Sequence, residues 1–304
     1  MAEMGVVGGS AYGDTAQFWT DIDVTFTMSG EADNGLTFGA TVDLDENGAF
    51  AGTSQGGETI FVAYGPARLT MGDTDGAFDA AMQEVGIGGS IDDSHTGHVG
   101  FSGNSGFDGT YGGQIAALSY SFDSFTGYIS VEVDDSGNSD PVWGIGAKYS
   151  ADLGSLTLNV GLGYQTADDN GSVTLFDGVD GGGNAVKVGV TDFSEVWGIS
   201  VGTTFTNGLQ AVLNYSTYGG SATEGDVTHT ALGLGYSMNA LTLGVNYGQW
   251  EGDRGSIDGY GLAVNYDLGG GIAVQFGYGK NDADIAGVAT NTNESYSLGL
   301  AMSF

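Results

Sequence analysis

The chain has 304 residues with 38 Asp and Glu against 5 Lys and Arg, a net charge of -33 that repels nucleic acid and anionic surfaces. Its 40% hydrophobic and 11% aromatic content exceeds what an acidic disordered tail needs, so it is expected to fold. With no cysteine and no apolar run of 18 residues, disulfide frameworks, thiolate zinc sites and membrane-spanning helices are excluded.

The start, Met1-Ala2-Glu3-Met4, lacks the basic and apolar segments of a secretion signal. An exported precursor needs one, so the numbering is read as that of a mature or recombinantly started chain. From there to the C-terminus the dominant signal is alternation with a period of two. Leu156, Leu158, Val160, Leu162 and Tyr164 alternate with Thr157, Asn159, Gly161 and Gly163; Trp197, Ile199 and Val201 with Gly198, Ser200 and Gly202; Tyr296, Leu298, Leu300, Met302 and Phe304 with Ser297, Gly299, Ala301 and Ser303. The pattern predicts strands at 3–12, 17–29, 35–45, 58–65, 67–72, 114–122, 125–133, 142–151, 154–165, 193–205, 208–218, 227–238, 240–250, 257–267, 271–280 and 294–304. Tight turns such as Asp33-Asn34-Gly35 and Thr206-Asn207-Gly208 alternate with longer connections at 45–57, 73–113, 134–141, 166–192, 219–226, 251–256 and 281–293.

Short turns at one end and long loops at the other are the signature of an antiparallel transmembrane β-barrel. A secreted acidic β-protein also alternates, but here the small polar face almost lacks Lys and Arg, and the apolar face carries bulky residues of uniform type, as lipid demands. Without helices to span the bilayer, a sheet must close on itself to pair its backbone. The expectation is one domain, 1–304, all β, with sixteen strands. Parity sets Tyr149, Tyr236, Tyr266 and Phe304 at the turn end, and Tyr164, Tyr215, Tyr247, Tyr278 and Tyr296 at the loop end, as two interfacial girdles. Arg68 and Lys148 have inward parity; Lys280 has outward parity at a strand end, where it can snorkel.

Phe26-Thr27-Met28-Ser29-Gly30, then Asn34-Gly35-Leu36-Thr37-Phe38-Gly39-Ala40, then Met71-Gly72-Asp73 leading toward Glu84-Val85-Gly86, resemble the general diffusion porins of alphaproteobacteria, the Rhodobacter type. The terminal Leu300-Ala301-Met302-Ser303-Phe304 resembles the last strand of outer-membrane proteins, whose final Phe is read by the barrel-assembly machinery. These anchors cover both ends and the first third; the middle matches in architecture only. The resemblance implies a homotrimer in an outer membrane, bordered by lipid and lipopolysaccharide, with the third loop, L3 at 73–113, folded into the barrel to narrow it. Within it 76–84 reads as a short helix.

In that family acidic loop residues commonly face wall arginines. This chain departs from the pattern, placing Asp21 and Asp23 where arginine is expected. Asp43 on the next strand and Glu132 on the seventh also have inward parity. The expected pore-lining set is Asp21, Asp23, Asp43, Arg68, Asp79, Glu84, Asp92, Asp93, Glu132 and Lys148, and the expected function is passive diffusion of small hydrophilic solutes with a preference for cations. The alternatives are a substrate-selective channel, an adhesin-like barrel, and an outer-membrane hydrolase. For the last, His229 and Ser237 share inward parity but lie roughly 26 Å apart along one strand, too far for base and nucleophile, so the serine would come from a neighbouring strand. No enzyme activity and no cofactor are expected beyond weak Ca²⁺ binding at Asp134, Asp135, Asp140, Asp168 and Asp169, hard oxygen ligands without a calcium-loop spacing. His95 and His98, beside Asp92 and Asp93, are read as a solvated loop pair rather than a metal site.

Overall fold

The computed structural model describes residues 1–10, 13–46, 54–91, 104–112, 114–179, 185–220, 225–285 and 291–304; at 45–46, 54–56, 168–170, 172–179, 185–191 and 291 it describes the backbone alone. The strands are β1 (Ala2–Gly8), β2 (Gln17–Glu31), β3 (Thr37–Glu46), β4 (Ser54–Tyr64), β5 (Ala67–Gly72), β6 (Ile115–Phe122), β7 (Phe125–Glu132), β8 (Val142–Asp152), β9 (Leu156–Val179), β10 (Ala185–Phe205), β11 (Leu209–Gly219), β12 (Val227–Met238), β13 (Leu241–Gly252), β14 (Gly255–Gly269), β15 (Ile272–Ile285) and β16 (Asn291–Met302). Each pairs antiparallel with its sequence neighbours. The first strand pairs with the last, from Ala2↔Met302 to Gly8↔Tyr296, closing a sixteen-stranded barrel.

The alternation decides which face meets lipid. Phe18, Ile60, Ile129, Ile145, Leu162, Leu232 and Leu298 are exposed on the outer surface, an arrangement that water would penalise and hydrocarbon rewards. Aromatic pairs mark the loop-end border, with Tyr164 opposite Trp197, Tyr247 opposite Tyr260 and Tyr278 opposite Tyr296. At the turn end Phe122, Phe125 and Tyr149 lie side by side across three strands, the last two with ring centroids 4.8 Å apart.

All sixteen predicted strands occur, but three connections differ from expectation. β9 and β10 run on through most of the expected 166–192 loop as a two-stranded ribbon: beyond Trp143↔Thr166 and Glu195↔Gly219 they pair only with each other. At 24 residues, β9 is far longer than the 9–11 or so residues that cross a bilayer. The expected 251–256 loop is a tight turn at Asp253 and Arg254, because β13 and β14 pair as far as Gly252↔Gly255. Lys280 stands inside a longer β15, where Asp282 binds it at 3.1 Å.

Candidate functional site: the lumen and its inserted loop

β5 is only six residues long, so the chain leaves the wall early. The exit is Gly72, whose φ of 121° is costly for any other residue and whose missing side chain leaves room for the Glu58 carbonyl. L3 then turns inward. Its helical segment, α1 (Ala77–Ala81), is shorter than the predicted 76–84. Three alanines favour it, yet five residues do not make a helix in isolation. The wall supplies the rest. The N–H of Gly76 donates to Asp108 at 2.6 Å and that of Ala77 to Ser130 at 2.8 Å, satisfying amides that a helix N-terminus leaves without partners.

The loop lies flush because the inward positions beneath it are glycine. A Cβ at Gly146 or Gly161 would strike the carbonyls of Ala77 or Ala81, and one at Gly233 or Gly244 those of Val85 or Ile87. Side-chain amides fasten the rest. Asn214 donates to the Gln83 carbonyl at 2.9 Å, and Asn265 both accepts from the Gly89 N–H at 2.9 Å and donates to its carbonyl at 2.8 Å. Ile91 ends this run at Gly5 and Gly299, on the seam between β1 and β16. Residues 76–91 thus cover the inner wall from β7 round to β1, and among the described residues none of these contacts falls on β2–β6.

A second feature fills the same side of the lumen. Phe78, Phe107, Phe193, Tyr218 and Trp250 form an apolar cluster with Val142, Val196 and Ile257 inside the barrel. Tyr218 is fully buried, its ring centroid 5.8 Å from Phe107, 5.6 Å from Phe193 and 5.4 Å from Trp250. The sequence reading missed this core. Its signal was present as apolar residues of inward parity at the loop ends of successive strands: Val142, Ala167, Val196, Tyr218, Val227, Trp250 and Ile257.

The uncovered wall is acidic. Asp21 and Asp23 on β2 and Asp43 on β3 are half-buried at inward positions, Asp43 accepting from the Thr25 hydroxyl at 2.8 Å. Glu3, a residue the sequence reading omitted, pairs in register with Asp21. Arg68 is exposed on β5, its guanidinium 3.6 Å from the Phe61 ring centroid and its Nε donating to Thr70 at 3.2 Å. Among the described residues no carboxylate pairs with it.

Glu132 has the expected inward parity but not the expected setting. It is 2% exposed beneath the returning limb of L3, accepting from the N–H groups of Gly109 at 3.0 Å and Tyr111 at 2.8 Å. It anchors the loop rather than wetting the lumen. Asp79 lies on α1 and shares a cavity of about 290 Å³ with Asp73, Asp75 and Asp108. Burial, then Asp75, Asp108 and Glu84, push the Asp79 carboxyl up to about 8, opposed by Lys148. Burial likewise raises Asp108 to about 6 against the hydrogen bonds from Gly76 and Gln165. Glu84 is pushed up by surrounding protein and by Asp75, although its side chain opens onto the lumen, where water screens part of the effect. Lys148 therefore belongs to the L3 side.

Asp92, Asp93, His95 and His98 lie outside the described residues, as do the side chains of Asp168 and Asp169. Asp134 accepts from the N–H groups of Ser136, Asn138 and Ser139 and from the Ser136 hydroxyl, which holds its carboxyl below the usual range. Among the described residues no three carboxylates or histidines are placed to hold a metal ion. His229 packs on Trp250, ring centroids 4.5 Å apart, while Ser237 at the other end of β12 bonds to Thr242 at 3.1 Å.

A closed sixteen-stranded barrel with an apolar exterior and a loop narrowing its interior defines an outer-membrane channel. Comparison with known proteins names the family. The Gram-negative porin family matches residues 2–286, and a Rhodobacter capsulatus porin is 30% identical over 294 residues, 92% of each chain. Two engineered mutants of the Rhodopseudomonas blastica porin have the same fold, with TM-scores of 0.69 and 0.68 at 21% and 20% identity, covering 100% of this chain and 98% of theirs. The protein belongs to the porins of Gram-negative outer membranes, in their alphaproteobacterial branch.

Proposed function

We propose that this porin is a general diffusion channel for small hydrophilic solutes and ions that favours cations, acting by passage and not by catalysis. The observation that carries the reading is the division of the lumen. L3 and the internal aromatic core occupy the side from β7 round to the β16–β1 seam, and the side left to solvent carries Glu3, Asp21, Asp23 and Asp43, with Arg68 as its basic residue. Carboxylates on a low-dielectric wall raise the local concentration of cations, and Glu84 adds charge from the loop. The same reading has the chain assemble as a homotrimer among lipopolysaccharide, delivered by machinery that reads Phe304. It also includes loose Ca²⁺ association with the exposed loop acids Asp135 and Asp140.

The test is the reversal potential of the reconstituted channel across a planar bilayer under a KCl gradient. A cation-selective potential is expected, and the Asp21→Asn/Asp23→Asn double variant is expected to lie closer to zero. An anion-selective wild type refutes the reading.

A further inference from the structure

The short helix of L3 is held by groups that respond to protons. Four carboxylates, those of Asp73, Asp75, Asp79 and Asp108, share the cavity at the root of the loop. Asp108 uses one oxygen for the Gly76 N–H and the other for the Gln165 side chain at 2.6 Å, and Gln165 in turn accepts from the Phe107 N–H at 2.8 Å. Entry and return limbs of L3 are thus tied through one carboxylate. Asp79 differs. Among the described residues no hydrogen-bond donor reaches its carboxyl and no cation binds it within ion-pair distance.

We propose that this cluster is a proton-operated latch: α1 stays on the glycine wall while Asp79 carries its proton, and loss of that proton favours release of the turn into the lumen. Of the charged groups acting on Asp79 from the elements around it, the carboxylates favour its proton and one cation opposes it. L3 itself presents Asp75, Asp108 and Glu84, and β11 presents the phenol of Tyr218. β9 contributes uncharged Gln165 and β7 uncharged Ser130, with Glu132 engaged by the loop's return limb. β8 supplies the one opposing charge, Lys148.

A released Asp79 in water ionises near the ordinary carboxylate value, whereas the docked group keeps its proton up to about 8. Docking is therefore strongest below the ordinary value. It weakens as pH rises toward 8, by at most about tenfold per pH unit for one proton, and is constant above.

Because the chain has no cysteine, Met82→Cys places a single thiol at a buried position under Gly198. Its labelling by a charged methanethiosulfonate reagent, in reconstituted protein from pH 5 to 9, is divided by that of an exposed Ser136→Cys control to remove the thiol's own titration. The ratio is expected to climb with pH and level off near 8, and, when Asp79→Asn is added, to stay low and to be flat above about pH 7, where Asp108 has titrated. The same pH course with and without the Asp79→Asn substitution, or a ratio that falls with pH, overturns the latch. Should Met82→Cys fail to fold, closing events in bilayer recordings give a second readout: between pH 7 and 9 they are expected to become more frequent with rising pH in the wild type and to be pH-independent in Asp79→Asn. An equal pH dependence in the two overturns it.

Discussion

Glu132 and Asp79 are both acidic residues turned toward the interior, yet the backbone around them gives them opposite roles. Glu132 has two amide N–H groups aimed at its oxygens, so its charge is matched and the return limb of L3 is fixed. Glu132→Ala leaves those two amides without acceptors, at a cost of about 1–3 kcal/mol each if they remain buried. The expected result is selective proteolysis near residues 104–112 in detergent with the barrel intact, and an unchanged digest contradicts the anchoring role. Parity read from the sequence gave Glu132 its direction correctly, because strand period fixes that. It could not foresee burial, which depends on a loop about twenty residues distant in sequence returning to cover it.

Among the elements, the strands were legible and the loops were not. A lipid-facing residue every second position leaves a trace that no tertiary contact can alter, and sixteen such traces fixed the barrel. L3 left a weaker trace: Ala77–Ala81 reads as helical, but what keeps it in place is the absence of side chains on strands far along the chain. The β9–β10 ribbon reads as loop in the sequence because its residues no longer alternate for lipid once they pass the membrane border. Since Thr166 and Glu195 are the last positions where β8 and β11 pair with it, replacing 173–190 by a two-residue turn is expected to preserve the barrel. Heat-modifiable migration in detergent gels checks this; a variant that migrates as unfolded chain without heating shows that the ribbon is needed for closure.

At the scale of the whole molecule, the lumen has two unlike sides, one packed with loop and aromatic rings and one bearing acids. If the acids set ion preference through their field, screening weakens it. The Debye length falls from about 30 Å at 0.01 M to about 3 Å at 1 M, so the cation preference is expected to shrink steeply over that range of KCl. A preference independent of salt points instead to direct ion binding. The glycine bed under L3 acts as an adjustment gauge. The loop backbone rests on the wall with no spacer between them, so a methyl group inserted at Gly161 or Gly233 is a shim that lifts the loop toward the acidic side. Width is then set from behind, by residues that no permeating solute touches. Alanine and then valine at either position are expected to lower single-channel conductance in graded steps, leaving the charges that face the solute in place.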